Sequence, residues 1–235
     1  MELTSTQETI LWAGTIGMSL GAIIIAALGF RLPKAERHHV TASFFVCAIA
    51  ACAYLAMATG IGTITVNGYE IFFARYADWV LTTPLLLLGL VTVGIAAVAG
   101  GEAGRERGGL IGFVLGADIL MIVTGFVAAL RNGHDDKWLW YAISCVFFLL
   151  VLWAVYGPVK EYVSSTMKPL YVRLLTILTV LWLIYPVLWA LGTEGAGTLS
   201  LTGEIAVFAV IDVIAKVGFG ILLVTGVSKA SKHVA

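Results

Sequence analysis

The sequence predicts an all-α membrane protein, a bundle of seven transmembrane helices, on three observations. Of its 235 residues, 60% are hydrophobic and only 12% charged, with a mean hydropathy of +0.99, whereas a soluble domain carries roughly 25% charged residues. Seven stretches reach the length of about 20 mostly apolar residues that a spanning helix needs. The connections between them are short, so residues 1–235 read as a single seven-helix domain. The runs are too long and continuous for barrel strands, which take about 10 residues each.

Residues 1–8 are polar and acidic, with neither the basic start nor the small-residue cleavage site of a secretory signal, and they lead straight into the first span, 9–30. Arg31, Lys34 and Arg37 separate it from the second, 39–62. The third, 70–98, is followed by Arg105 and Arg107, and the fourth, 108–130, by Arg131 and Lys137. The fifth, 138–157, gives way to Lys160 and Lys168, the sixth is 172–191, and the seventh, 202–227, precedes Lys229 and Lys232. Of the 14 Lys and Arg, ten (Arg173 included) fall on one side of this arrangement and two, Arg131 and Lys137, on the other. The positive-inside rule then puts the N-terminus outside and the C-terminus in the cytoplasm of a cell membrane. A formal net charge of zero offers no footprint for nucleic acid. Cys47, Cys52 and Cys145 lie in apolar stretches without a CxxC pair and read as small buried core residues.

The two remaining cations, Arg75 and Lys216, lie inside spans, together with Asp78, Asp118, Glu204 and Asp212. An ionisable group near the membrane centre costs roughly 2.5–3.5 kcal/mol on insertion scales and is functional by default. Snorkelling accounts for Glu204 as well as function does, but not for Lys216, deep in its span. Asp212 and Lys216 are four apart, one turn from each other on one helix face. Desolvation favours the neutral form of an amine, the form that condenses with an aldehyde, and an imine stays protonated only beside counter-charges. Asp212 is one such charge. Asp78, with Thr82 one turn further in and Arg75 almost a turn further out, is another. A structural ion pair of Lys216 with either carboxylate is the competing reading. Aromatic stripes accompany these charges. Trp182, Tyr185 and Trp189 run i, i+3, i+7 along one face of the sixth span with Pro186 among them, Trp79 follows Asp78, and Trp140, Tyr141, Ser144 and Phe148 gather on the fifth. They would make a flat slot for a rod-like chromophore, although packing or an interfacial belt produces similar stripes.

Taken together the motifs are specific. RYADWVLTTPLLLLGL at 75–90 resembles the third helix of microbial rhodopsins, GADILMIVTG at 116–125 the fourth, WLIYPVLWALGTEGAG at 182–197 the sixth with its following loop, and IDVIAKVGFG at 211–220 the seventh. The resemblance, to the bacteriorhodopsin-like proton pumps, covers nearly the whole chain. It implies all-trans retinal as a Schiff base on Lys216, Asp78 as primary proton acceptor hydrogen-bonded by Thr82, and Asp212 as second counterion held by Tyr54 and Tyr185. It implies Trp79 and Trp182 on the two faces of the polyene, with Thr83, Leu86, Met121, Gly125, Tyr141, Ser144, Phe148, Pro186 and Trp189 lining the rest. Arg75 would shuttle between the counterions and the outer exit, where Glu194 and Glu204 match a carboxylate pair that stores and releases a proton. A neighbouring like charge raises one pKa of such a pair. Asp118 would be a protonated carboxyl packed between helices, without a transport role.

The sequence departs from the archaeal pattern at three places. Gly89 replaces the carboxylate that reprotonates the Schiff base from inside, giving a D-T-G motif, and its missing side chain would leave a void for a water chain. Phe148 replaces methionine in the pocket. Tyr141 fills the position that antenna-binding relatives keep as glycine, which argues against a carotenoid partner. Near the inner mouth stand His38, His39, Thr41 and Ser43; a His pair at a helix end usually reads as surface, and help with proton uptake by His39 is the functional alternative. The expected function is a light-driven outward proton pump; the loss of the inner donor also suits a sensory rhodopsin signalling to a membrane transducer. Retention of Asp78 and Thr82 speaks against chloride or sodium transport, and Leu86 favours green absorption by analogy. By analogy too, the protein would work in the bilayer as a trimer or pentamer.

Overall fold

In the computed structural model of the chain, residues 3–30, 32–94 and 102–232 are described. Among the described residues, seven helices are long and apolar enough to cross a membrane. The first six are α1 (Ser5–Gly29), α2 (Arg37–Ala58), α3 (Phe73–Gly94), α4 (Glu102–Leu130), α5 (Lys137–Tyr156) and α7 (Lys168–Leu191), with the short α6 (Pro158–Glu161) between the last two. The seventh crossing is composite: α8 (Leu201–Val213), a π-helical turn (Ile214–Gly218) and α9 (Phe219–Lys232). Arg31, the stretch 95–98 of the third predicted span and the side chain of Lys232 lie outside the described residues.

The helices begin where the local chemistry dictates. Thr4 caps α1 in a reciprocal box with Gln7, and the Ser200 hydroxyl accepts from the Gly203 N–H at the start of α8. Between helices the packing is close because small residues sit at the contacts. A Cβ on Gly14 would run into the Tyr54 ring, so glycine there lets α1 lie against the side of α2 that carries Tyr54. Large apolar side chains on the outward faces stay exposed, among them Ile23 (63%), Leu149 (62%), Trp153 (59%) and Val210 (59%). Such a belt is what hydrocarbon solvates, and the buried interior holds the polar groups instead: Arg75, Asp78, Thr82, Asp118, Glu204, Asp212 and Lys216 are all buried.

Two boundaries differ from the expected ones for the same reason. The third span starts at Phe73 rather than 70, and the second ends at Ala58 rather than 62, because the connection is not helical. It forms a two-stranded hairpin, β1 (Ile64–Val66) against β2 (Tyr69–Ile71), antiparallel. Asn67 and Gly68 both take positive φ, 53° and 81°, as a two-residue type I′ turn requires. The hairpin leans on the α4–α5 turn, with Asn67 Nδ2 donating to the Asn132 carbonyl. That same end of the bundle, the one at which α1 begins, carries the α7–α8 loop.

Candidate functional site

The interior of the bundle holds a cleft walled largely by aromatic side chains. Every expected pocket residue except Tyr54 lines it: Trp79, Thr83, Leu86, Met121, Gly125, Tyr141, Ser144, Phe148, Trp182, Tyr185, Pro186, Trp189 and Lys216. Tyr54 belongs instead to the charged cluster behind the lysine. Tyr76, Ile122, Cys145 and Ala215 also line the cleft and went unnoticed in the sequence. The cysteines therefore do not share one environment, since Cys47 is buried, Cys52 exposed and Cys145 partly buried at the cleft wall.

The shape comes from aromatic packing. Tyr141 stacks on Trp189 with ring centroids 4.8 Å apart and planes 13° from parallel, and Trp79 meets Tyr185 edge-on at 5.4 Å. A Cβ on Gly125 would come within 3.3 Å of Ser144 Oγ, so the glycine preserves width there. Ser144 Oγ itself donates to the Met121 carbonyl and Tyr141 to the Pro186 carbonyl. These two hydroxyls of the wall are thus spent on the backbone, and the cleft presents mostly apolar faces with one amine. An apolar, rigid, elongated aldehyde fits this combination.

Lys216 sits in the π-helical turn, an irregularity that often marks functional positions. Its Nζ donates to Asp212 Oδ1 at 2.7 Å and stands 3.0 Å from Asp78 Oδ2. The two carboxylates are not equivalent. Asp212 is saturated, accepting from Tyr54 at 2.7 Å, from Tyr185 at 2.7 Å and from the lysine. Asp78 keeps its second oxygen, Oδ1, without a hydrogen-bond partner among the described residues. Thr82 lies beside the Asp78 carboxylate, as expected, and its hydroxyl also donates to the Asp78 main-chain carbonyl at 2.9 Å, the usual i−4 bond of a helical threonine. Asp118 accepts from Thr83 at 2.7 Å and is fully buried between α3 and α4.

Towards the α7–α8 loop the chain of polar groups continues. Arg75 Nη1 lies 2.8 Å from Glu204 Oε1, with the guanidinium over the Phe208 ring at 4.1 Å. Glu204 is buried, which excludes snorkelling, and its other oxygen accepts from the Thr193 N–H and hydroxyl at 2.8 and 2.9 Å. Glu194 does not bond Glu204. It accepts a short bond from the Tyr76 hydroxyl, which in turn accepts from Trp189 Nε1 at 2.7 Å. The two carboxylates are therefore neighbours with separate partners rather than a pair joined by one hydrogen. Burial raises the Glu194 carboxyl to about 7 from the ordinary 4.5, with Arg75 pulling it down and Glu204 pushing it up.

On the other side of Lys216, a Cβ on Gly89 would stand 3.0 Å from Leu223 Cδ2, so the leucine of α9 packs against one side of the space that the glycine leaves. Leu223 is 1% exposed and belongs to a core with Leu86, Leu90 and Phe219. His39, read as a surface residue, is buried, as is Ser43.

Residues 5–230 match the family profile described as bacteriorhodopsin-like protein. The chain belongs to the bacteriorhodopsin-like family. It is 40% identical over 234 residues to a bacteriorhodopsin of Haloterrigena sp. (strain arg-4), covering 95% of this chain and 89% of that one. Among solved structures it is similar to the thermophilic rhodopsin from Rubrobacter xylanophilus, with a TM-score of 0.89, 35% identity and coverage of 95% and 96%. It is similar also to the proton pumping rhodopsin AR2 from the marine alga Acetabularia acetabulum, with a TM-score of 0.84, 33% identity and coverage of 99% and 97%. This bacteriorhodopsin-like chain is thus a multi-pass protein of the plasma membrane, and its relatives are transporters rather than enzymes.

Proposed function

We propose that the chain is a light-driven outward proton pump that holds all-trans retinal on Lys216. The observation that carries the reading is the seat of Lys216 Nζ, between Asp78 at 3.0 Å and Asp212 at 2.7 Å and at the wall of an aromatic cleft. The names of similar proteins, bacteriorhodopsin and proton pumping rhodopsin, support it. Retinal joined to Lys216 Nζ would supply light absorption and a linkage proton whose direction and affinity change on isomerisation.

The residues divide the remaining work. Trp79 and Trp182 would hold the polyene flat, and Gly125, Ser144 and Phe148 would shape its far end. Asp212, saturated by two tyrosines, is a fixed counter-charge. Asp78, with a free oxygen lone-pair site, is the carboxylate suited to accept the proton. Once Asp78 is neutral, Arg75 has less to attract it inward, and its charge acts more fully on Glu204 and Glu194. Glu194, poised near neutrality, then gives up its proton to the outside. The starting position of Arg75 is already on Glu204, so a redistribution of charge is enough and no long swing is required. With the N-terminus outside, the direction is outward, and each charge moved against the potential costs about 2.3 kcal/mol per 100 mV.

Reprotonation runs without a carboxylate at position 89, by protons that reach the lysine from the bulk of the cytoplasm. Leu223 packed against Gly89 makes that supply slow, and this favours a second reading, a sensory rhodopsin whose long-lived state signals to a transducer. The Arg75, Glu204, Glu194 and Tyr76 relay, useful for vectorial release, favours the pump. Assembly as a trimer or pentamer in the bilayer without a carotenoid antenna completes the proposal. Addition of all-trans retinal to the purified apoprotein tests the site: a visible absorption band should appear in the wild type and not in Lys216→Ala.

A further inference from the structure

At the end of the bundle away from Glu194, a single 3-10 turn, Lys34–Glu36, runs into α2, whose first turn holds His38 and His39. His39 is 1% exposed. Its Nε2 stands 3.5 Å from Glu36 Oε2, longer than a good hydrogen bond, and its Nδ1 has no hydrogen-bond partner among the described residues. A buried imidazole with Nδ1 unpaired among the described residues and Nε2 only 3.5 Å from a carboxylate calls for an explanation. His38 packs its ring against that of His39, centroids 4.0 Å apart. One ligand atom from each of Glu36, His38 and His39 falls within 4.8 Å of the others.

We propose that Glu36, His38 and His39 form a binding site for a borderline transition-metal dication, of which Zn²⁺ is the representative. Two imidazoles and one carboxylate are the ligand set of open three-ligand zinc sites, with water in the fourth place. The same set discriminates against Ca²⁺ and Mg²⁺, which take oxygen ligands in larger number. Tetrahedral coordination at about 2.0–2.1 Å brings ligand atoms to about 3.3 Å from one another, so the most widely separated atoms must draw in by up to roughly 1.5 Å. His39 is the fixed anchor, and the exposed His38 and half-buried Glu36 supply the freedom to close on it. Neighbouring cations set the affinity. Lys34 and Arg37 flank the cluster, and Arg37 directs its Nε to the Leu32 carbonyl at 3.5 Å. With one carboxylate against two cations, binding belongs on the order of micromolar rather than nanomolar. The site is separate from the cleft and independent of the pump reading.

The test titrates Zn²⁺ alone, by calorimetry, into the purified full-length protein in lipid nanodiscs after chelator treatment, with Cu²⁺ and electron paramagnetic resonance in parallel. One Zn²⁺ per chain should bind, Ca²⁺ at the same concentration should give no heat, and the Cu²⁺ signal should carry two nitrogen ligands. Glu36→Gln, His38→Gln and His39→Gln should each weaken binding by about tenfold or more, and His134→Gln should not. Far-UV helicity checks that each variant is folded, and the exposed His38→Gln suffices if the buried variant does not fold. No binding up to millimolar Zn²⁺, affinity unchanged in folded His38→Gln, or a signal from a single nitrogen would overturn the proposal.

Discussion

Arg75 and Glu204 form a buried ion pair at 2.8 Å, so the guanidinium is committed to the exit side of the bundle while Lys216 is left to Asp78 and Asp212. Positive charge is thus divided between two carboxylate clusters, one at the cleft and one at the α7–α8 loop. The proposed coupling between them is electrostatic, and it predicts how each responds when the other changes.

In the proposed pump Glu194 would set the pH range of release. Its carboxyl is raised to about 7, so it holds a proton at rest below that pH and is already ionised above it. Flash-induced proton release, followed with a pH dye, should lose its fast phase as the pH rises through about 7. Glu204→Gln removes the charge that pushes Glu194 up and frees Arg75 to pull it down, so the midpoint should fall. A midpoint unmoved by Glu204→Gln would show that the two acids are not coupled through Arg75.

The difference between the carboxylates at Lys216 predicts different phenotypes. In Asp78→Asn the proposed acceptor is gone, so a light-induced state with a deprotonated linkage should not form. The visible band should move to longer wavelength, because less negative charge remains to stabilise the cation at the nitrogen. In Asp212→Asn the acceptor survives but two tyrosines lose an ionised partner, and the main effect should be on stability. Flash spectroscopy of the two variants separates these outcomes.

Tyr54 and Tyr185 each donate to Asp212 at 2.7 Å in a buried setting. A hydrogen bond to a charged group contributes about 1.5–3 kcal/mol. Tyr54→Phe should therefore destabilise the protein by about that amount, read as a lower bleaching temperature of the visible band, without loss of pigment formation.

Leu223 against Gly89 predicts slow refilling. With no carboxylate at position 89 and Leu223 packed beside it, the deprotonated state should decay more slowly as pH rises, by about tenfold per unit where bulk protons limit the rate. Leu223→Ala opens the space and should accelerate the decay. A decay independent of pH would reveal an internal donor.

Much of this was legible in the sequence because lipid makes charge conspicuous. Lys216, Asp212, Asp78 and Arg75 stand out as ionisable groups in apolar spans, and the cleft aromatics fall at helical spacing. The π-helical turn at Lys216 was not legible, since a span apolar all round has no polar face whose period could shift. The hairpin was missed although Asn67-Gly68 between Thr65-Val66 and Tyr69 is a strong short-range hairpin signal. Tyr76 went unread because a tyrosine near a span end looks like an interfacial anchor, and its link to Glu194 depends on how the α7–α8 loop folds. At Gly89 the missing side chain is visible in the sequence, but the leucine of another helix that packs beside it is not.

The central claim is vectorial proton transport, and light-driven pH change in intact cells or oriented vesicles tests it most directly. With all-trans retinal supplied, illumination should acidify the outside, a protonophore should abolish the change, and Asp78→Asn should show none. A pigment that forms and cycles but leaves the external pH unchanged would contradict the pump and leave the sensory reading in its place.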